Sequence, residues 1–183
     1  MDQKGIVISG YVCVGKSTVV KKYDNIIDVE SNHSQYLWTD EQKKAMLEDD
    51  KFLEKLKGTN KPKNLKYPDN YIDDIIKAMD NYKVVLIAPG LRYLKLLAEY
   101  GIEPVLVFPG IECRVEYIKR AKERGNPMDF VRGIDERWEE GIEKRMALPN
   151  KKIILGPGEY LEDGLLREGY LTEQDLKPEF QQT

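Results

Sequence analysis

Five short apolar runs, separated by longer charged stretches with helical spacing, constrain the fold of this 183-residue chain most strongly. Most of the runs are continuous rather than alternating, and β-branched residues dominate most of them. Strands that are buried on both faces of a parallel sheet have this pattern. The runs are Gly5–Ser9, Ile26–Val29, Val84–Ala88, Val105–Phe108 and Ile153–Leu155. Because helical segments alternate with these strands, we expect an α/β fold with a parallel sheet.

Helical patterns fill the intervals between the predicted strands. They cover Lys16–Tyr23, Thr39–Lys57, Asn70–Tyr82, Leu91–Tyr100 and Ile111–Arg124. A further helix is predicted to start with Asn126 as its cap and Pro127 in first position, and to run to about Leu148. The polar stretch Gly58–Asn70 is interpreted as a mobile connector inside one domain of residues 1–176, and residues 177–183 as a frayed C-terminal tail.

Composition excludes several classes of function. The near balance of 29 basic and 32 acidic residues excludes a globally basic nucleic-acid binder, and one histidine argues against a histidine-rich metal site or a Ser-His-Asp hydrolase. Two cysteines cannot form a disulfide framework, which favours a reducing compartment. The chain has no apolar run near 20 residues and no signal-peptide pattern at its start. We therefore expect a cytoplasmic protein without a membrane partner, either a monomer or a homodimer.

The loop after the first predicted strand matches G-x-x-x-x-G-K-[ST], the phosphate-binding P-loop. Such a loop turns several backbone N–H groups toward a polyphosphate, and its glycines permit the close approach. Lys16 would supply a full charge near the β- and γ-phosphates, and Ser17 a hydroxyl for Mg²⁺. The predicted nucleotide-binding residues are Gly10, Tyr11, Val12, Cys13, Val14, Gly15, Lys16, Ser17 and Thr18. The alternative is a chance glycine turn.

The P-loop, the short chain and the alternating elements resemble the small P-loop kinases, the group that contains nucleoside, nucleotide and shikimate-type kinases. The segment from Val115 to Asn126, followed by an amphipathic helix with Trp138, is similar to small phage-encoded members. The resemblance covers about residues 5–162. It implies a three-layer P-loop NTPase fold with a five-stranded sheet in the order 2-3-1-4-5. It also implies ATP and Mg²⁺ as cofactors and a helical lid at about residues 111–132.

Two acidic residues, Asp28 and Glu30, follow the second predicted strand, and their spacing points both side chains the same way. By the resemblance, Asp28 would hold Mg²⁺ or accept the proton of a substrate hydroxyl, and Glu30 would hold the acceptor. The alternative is that one or both cap the next turn. No Walker-B aspartate follows Val84–Ala88, which disfavours motor and switch NTPases and leaves Ser17, Asp28, phosphates and water to bind the metal.

Arginines in the predicted lid are the next candidates. At 100° per residue Ile111, Val115 and Ile118 share one face of a helix, while Arg120 and Arg124 lie together on the opposite face. By the resemblance, Arg120 and Arg124 would fold over the transferring phosphoryl group. Secondary candidates, assigned to the acceptor, are Arg114 and Arg132. The alternative is a solvated face with salt bridges to Glu112, Glu116 and Glu123.

Weaker signals concern the base and the acceptor. Gly156, after the fifth strand, is a candidate for contact with the nucleotide base, or part of a plain turn. Tyr36 and Trp38, near His33, are candidates for stacking on a base or sugar, or for packing the following helix. The lysines of the connector, Lys57, Lys61, Lys63 and Lys66, form either a solvated charge run or a site for a phosphorylated acceptor or nucleic acid.

The sequence thus predicts phosphoryl transfer from ATP to a nucleotide-like acceptor, with a deoxynucleoside monophosphate as the leading acceptor. Nucleosides and hydroxyl groups on DNA, either a 5′ end or a hydroxymethylated base, are close alternatives. A second hypothesis is a nucleotide-binding module that regulates a partner without small-molecule kinase activity. A third is a noncatalytic interaction protein with a chance P-loop.

Overall fold

A five-stranded, all-parallel sheet forms the centre of the protein. The computed structural model describes residues 4–48, 52 and 61–181. The strands are β1 (Ile6–Gly10), β2 (Ile26–Val29), β3 (Val84–Ile87), β4 (Val105–Pro109) and β5 (Lys152–Leu155). Their order in the sheet is β2-β3-β1-β4-β5. The α/β class, the parallel sheet and the strand order expected from the sequence are therefore confirmed.

Helices connect the strands. They are α1 (Lys16–Lys22), α2 (Ser31–Gln35), α3 (Asp40–Glu48), α4 (Asp69–Met79), α5 (Leu91–Glu99), α6 (Arg114–Glu123), α7 (Met128–Glu136), α8 (Trp138–Met146) and α9 (Leu161–Arg167). Within the described ranges, 3₁₀ turns are formed by Ile111–Cys113, Glu173–Asp175 and Pro178–Phe180. Residues 49–51 and 53–57 of the helix predicted from Thr39 lie outside the described residues.

Both faces of the sheet are covered by apolar side chains of helices. On one face Ile8 and Leu86 pack in a buried cluster with Val19 of α1 and Trp138 of α8. On the other face the strand residues pack on α4 and α5, in a cluster of Val7, Val85, Ile87, Tyr71, Ile72, Ile75 and Leu97. Alternate strand residues thus pack into the two clusters on opposite faces of the sheet, which explains why the runs are continuously apolar. Residues at or just after the carboxyl ends of β1, β2 and β3, namely Tyr11, Asp28 and Ala88, line a cleft.

The helices in and after the segment predicted to be a lid differ from the sequence prediction. The single helix predicted from Pro127 to about Leu148 is two helices, because Arg137 leaves helical geometry at φ −107° and ψ 18°. Asn126 does not cap the following helix, since its side-chain amide donates to the carbonyl of Ala121 at 3.0 Å. The proposed cap thus closes the end of the preceding helix instead.

The buried stripe of α6 also differs from the apolar face that the sequence suggested. Cys113, Tyr117 and Ala121, four residues apart, are all at most 2% exposed, whereas Ile111 and Val115 are 48% and 82% exposed. Because the aromatic ring of Tyr117 buries more area than the side chain of Ile111 or Val115 could, Tyr117 determines which face of α6 packs on the core. This orientation of α6 carries Arg120 inward.

Two segments expected to be mobile carry hydrogen bonds. In the described part of the connector, the carbonyl of Pro62 accepts a hydrogen bond from the backbone N–H of Leu37. Asn64 of the connector donates its backbone N–H to the carbonyl of Gln35, and both distances are 2.9 Å. At the C-terminus, Lys177 donates its N–H to the carbonyl of Lys22 at 2.9 Å, so this part of the predicted tail is joined to α1. Among the helices of the described ranges, none is long and apolar enough to cross a membrane.

Candidate functional site

The loop between β1 and α1 has the backbone geometry of an anion-binding turn. Gly15 and Cys13 both have positive φ, 96° and 59°, and the Cys13 value is uncommon for a residue with a side chain. The backbone N–H groups of residues 12–17 donate to no other described residue. Two hydrogen bonds of 2.8 Å hold the loop, from Tyr11 N–H to Val107 and from the N–H of Leu161 to Val14. Free amides on a fixed loop are suited to bind an anion.

Lys16 crosses the mouth of this loop. Its ammonium lies 2.9 Å from Oδ1 of Asp28, which stands at the end of β2 on the far side of β3. Both side chains are mostly buried, with 20% and 13% of their surface exposed. A Cβ on Gly10 would lie 3.1 Å from Cδ of Lys16, so the glycine leaves room for the lysine chain. Lys16 and Asp28, two of the four residues assigned to catalysis from the sequence together with Arg120 and Arg124, are therefore in direct contact.

A cleft of about 560 Å³ opens in front of the loop. It brings together most of the residues predicted from the sequence to bind nucleotide, metal or acceptor, and adds several others. The described residues that line it are Tyr11, Val12, Cys13, Val14, Gly15, Lys16, Ser17, Asp28, Glu30, Ser31, Asn32, Tyr36, Trp38, Lys61, Ala88, Pro89, Arg124, Asn126 and Phe130. Gly10 and Thr18, at the two ends of the predicted loop, flank this lining without belonging to it.

One end of the cleft is aromatic. The rings of Tyr36 and Trp38 meet edge to face with centroids 5.8 Å apart. The ammonium of Lys61 lies 5.3 Å from the first centroid and 5.8 Å from the second. The indole N–H donates to the carbonyls of Asn32 and His33 at 3.2 and 3.1 Å, which fixes the ring at the mouth. A flat ligand with negative charge would find both a stacking surface and a cation here.

The opposite wall comes from the turn between α6 and α7. Arg124, Asn126 and Phe130 line the cleft there. The Arg124 guanidinium reaches the thiol of Cys13 in the loop, where burial raises the pKa of Cys13 and the positive charge partly offsets this rise. Gly125 has a φ of +76°, which allows the tight turn that presents its two neighbours to the cleft.

Arg120, the partner of Arg124 in the sequence hypothesis, does not line the cleft. Its guanidinium stacks on the ring of Tyr160 at 3.8 Å from the centroid and on Tyr117 at 4.7 Å. It pairs with Glu116 and donates to the carbonyl of Glu159 at 2.9 Å. Tyr160 also packs against Gly15, since a Cβ added to this glycine would lie 3.2 Å from Cδ1 of the tyrosine. The stack of Arg120 on Tyr160 therefore supports the loop between β1 and α1. Its position indicates a supporting role.

Three further residues assigned from the sequence also lie outside the cleft lining. Gly156 donates its N–H to the side chain of Glu159 at 2.7 Å. Arg114 pairs with Asp135 at 2.8 Å and lies 3.8 Å from Glu139, while Arg132 lies 3.8 Å from Asp129 at an exposed face. Arg114 and Arg132 thus make surface ion pairs, but with other carboxylates than Glu112, Glu116 and Glu123, which the alternative named.

Sequence reasoning assigned no site role to Ser31, Asn32, Asn126 and Phe130, and left Lys61 undecided within a charge run. The first two directly follow the acidic pair at the end of β2, which was a usable signal. The motif Arg-Gly-Asn at 124–126 was another, since a glycine turn between polar residues often presents side chains. The exposed ring of Phe130 carried no such signal.

A metal ion held entirely by protein is not supported by the structure. The described residues contain no group of three or more His, Cys, Asp or Glu side chains that could hold a metal ion. Ser17 and Asp28 both line the cleft, and the second carboxylate oxygen of Asp28 has no partner among the described residues. Mg²⁺ commonly binds through one or two protein oxygens, with phosphates and water completing the shell. The residues present fit that arrangement.

Comparison of the chain with protein-family models and with curated proteins finds no match.

Proposed function

We propose that this protein is an ATP- and Mg²⁺-dependent kinase that transfers a phosphoryl group to a nucleotide-like acceptor, most favourably a deoxynucleoside monophosphate. One observation supports this above all. A glycine loop with free amides, the ammonium of Lys16 and the carboxylate of Asp28 meet at the carboxyl ends of β1 and β2, the two parallel strands that flank β3. Ligands of open α/β sheets bind at this edge.

Donor binding would rest on the loop. The free N–H groups of residues 12–17 are donors for phosphate oxygens, and Lys16 adds a full positive charge. Its present partner, Asp28, keeps that charge inside the cleft rather than in solvent. When bound, Mg²⁺ would supply charge neutralisation for the phosphates, and Ser17 and Asp28 are the side chains placed to hold it.

Asp28 and Arg124 would act on the transferring group from opposite walls. Asp28 would orient the acceptor, and would accept its proton where the acceptor is a hydroxyl. Arg124 is exposed, lines the cleft and reaches the loop at Cys13, so its guanidinium can approach charge that develops on the phosphoryl oxygens. Bringing these groups and the acceptor into one cleft supplies the orientation that phosphoryl transfer requires.

The acceptor would occupy the aromatic end. Tyr36 and Trp38 offer a stacking surface, Lys61 a cation, and Glu30 an acceptor for amino or hydroxyl groups. A nucleobase can satisfy all four side chains, since its ring stacks, its carbonyl groups accept from Lys61 and its amino groups donate to Glu30. A nucleoside or a DNA end would use the same surface, so the three acceptor classes are tested together.

The decisive experiment incubates the protein with ATP, Mg²⁺ and separate pools of deoxynucleoside monophosphates, nucleosides and short DNAs, and identifies products by mass spectrometry. We expect a phosphorylated product in one pool, and none with Lys16→Ala. The matched control is Lys119→Ala, which removes a lysine that is 73% exposed on α6. No product from any pool, together with tight ATP binding, would instead support the regulatory nucleotide-binding module.

A further inference from the structure

A second compartment with a basic lining adjoins the phosphate-loop cleft. This compartment has a volume of about 330 Å³ and shares Tyr11, Val12, Pro89 and Phe130 with the first cleft. Its far wall is formed by α7 and α8 on either side of Arg137, the residue at which the helix predicted from the sequence is interrupted. The interruption therefore opens a space directly beside the first residues of the loop.

Three cations and one carboxylate line this compartment. The cations are Arg137, Lys144 and Arg145, and the carboxylate is Glu140. Lys144 pairs with Glu140, which neutralises one of the three. Neither arginine has a carboxylate partner within 4.0 Å among residues 4–48, 52 and 61–181. The described lining thus carries an excess of two positive charges.

Arg145 is the better fixed of the two unpaired arginines. Its guanidinium donates to the carbonyls of Gly141 and Pro89 at 2.7 and 2.9 Å. It also lies over the ring of Tyr11, 4.8 Å from the centroid. Carbonyl groups orient a guanidinium without neutralising it, and burial lowers the pKa of Arg145 because water solvates its charge poorly. An anion that entered the compartment would supply the missing counter-charge.

Arg137 faces the same space from the helix break. Its guanidinium lies against Gly133, where an added Cβ would come within 2.5 Å of Nη2. A larger residue at 133 would displace this side chain. The positive charge acts on Tyr11 across the compartment, together with that of Arg145. Guanidinium groups bind phosphate oxygens through paired N–H donors, and the two unpaired positive charges match the double negative charge of a phosphate monoester.

We propose that this second compartment binds a phosphate group carried by the acceptor, separate from the phosphates of the donor on the loop. The inference rests on the proposed kinase function, and it assigns the acceptor to the phosphate-bearing class rather than to bare nucleosides. The shared chemistry is a phosphate ester. Its source is either a mononucleotide or a short nucleic-acid strand that runs from the aromatic end through both compartments.

Binding rather than turnover tests this inference, so that a failure of catalysis does not obscure it. The protein is saturated with a non-hydrolysable ATP analogue and Mg²⁺, and calorimetry then measures three sets of probes. These are the four deoxynucleosides, their 5′-monophosphates, and pentanucleotides with a free 5′-hydroxyl. We expect a phosphate-bearing set to bind at least tenfold more tightly than the nucleosides, since hydrogen bonds to charged groups contribute that much.

Two variants test whether the tighter binding of the phosphate-bearing probes arises from the second compartment. Arg137→Gln and Lys144→Gln should each reduce the advantage of the phosphate-bearing probe, the first by about tenfold. Lys122→Gln makes the same charge change on α6, outside both compartments, and should leave it unchanged. Thermal unfolding by circular dichroism confirms that each variant folds. If the monophosphates bind more tightly than the nucleosides, the phosphate in the compartment belongs to a mononucleotide. If only the pentanucleotides bind more tightly, it belongs to a nucleic-acid strand.

Equal affinity for nucleosides and phosphate-bearing probes would overturn the inference, as would no measurable binding of any phosphate-bearing probe. The inference would also be overturned if phosphate-bearing probes still bound more tightly than nucleosides in both Arg137→Gln and Lys144→Gln. If the ATP analogue does not bind, the proposed kinase function fails independently. The titrations are then repeated without it on wild type and Lys16→Ala. A phosphate advantage that disappears with Arg137→Gln but persists with Lys16→Ala still supports the compartment.

Discussion

The ammonium of Lys16 lies 2.9 Å from the carboxylate of Asp28, across the strand that separates β1 from β2. The pair is mostly buried, so breaking it without replacement would leave a charge poorly solvated. A triphosphate on the loop would supply Lys16 with a new partner and free Asp28 for the acceptor or Mg²⁺. The ion pair is thus a resting arrangement of two groups that the proposed reaction needs apart.

Asp28→Asn should separate binding from catalysis. Because the neutral amide cannot form an ion pair with the ammonium, the charge of Lys16 becomes available to the donor, and we expect affinity for ATP without Mg²⁺ to increase. We expect kcat to fall because the acceptor is no longer oriented, and by about 100-fold or more where the acceptor is a hydroxyl whose proton Asp28 would accept. Calorimetry and a coupled kinase assay measure the two quantities. Asp80→Asn, at an exposed carboxylate 3.3 Å from Lys4, is the matched control. An unchanged kcat in Asp28→Asn would remove this residue from the mechanism.

Arg124→Gln should lower kcat with little effect on ATP affinity. Its guanidinium lines the cleft and reaches Cys13, so it is placed to stabilise charge that develops only in the transition state. The expected decrease is about 100-fold or more, by analogy with arginines that contact a transferring phosphoryl group. Steady-state kinetics with ATP as the varied substrate measure it, and Lys122→Gln on the preceding helix is the control. A higher ATP KM at constant kcat would instead indicate simple donor binding.

Trp38→Ala should raise the KM for the acceptor and leave the KM for ATP unchanged. Loss of one stacking ring weakens binding of a base by about 1–3 kcal/mol, which is roughly 5- to 150-fold. Trp38→Phe should keep most of the affinity because it retains an aromatic face. Trp138 is only 1% exposed, so quenching of tryptophan fluorescence by the acceptor should come from Trp38 and vanish in Trp38→Phe. Equal acceptor KM in wild type and Trp38→Ala would exclude stacking.

Cys13 should react slowly with iodoacetamide at pH 7. Burial raises its pKa above the ordinary thiol value, so at any given pH less of it is the reactive thiolate than for a free cysteine. The labelling rate should therefore keep rising above pH 9, and a bound nucleotide should protect the thiol. Mass spectrometry follows the modification, and Cys13→Ser gives the background from Cys113, which is 2% exposed. Rapid labelling at pH 7 would contradict this description of the loop.

Much of the fold could be predicted from local pattern. The five apolar runs correspond to five strands within one residue at each end, because the strands of a parallel sheet are mostly buried and their sequences are mostly apolar. The glycine loop was equally visible, since its function depends on residues that are adjacent in the chain. Both signals lie within a few residues of sequence, so no tertiary information was needed.

The candidate site was only partly predictable. Lys16, Asp28, Glu30, Tyr36, Trp38 and Arg124 converge on one cleft as expected. Arg120 does not, although it is one helical turn from Arg124. Tyr117 and Ala121 bury the stripe beside it, and the rings of Tyr117 and Tyr160 enclose its guanidinium. Helical spacing predicts which residues share a face, but not which face the core selects.

The sequence by itself determined the α/β class, the position of the strands and the presence of a glycine loop before a helix. Only the tertiary structure decided that α7 and α8 are separated at Arg137, and that this break opens a basic compartment next to Tyr11. The physical reason is that Arg137 and Tyr11 are far apart in the chain. Their proximity depends on how two helices pack against the sheet, which no local pattern encodes.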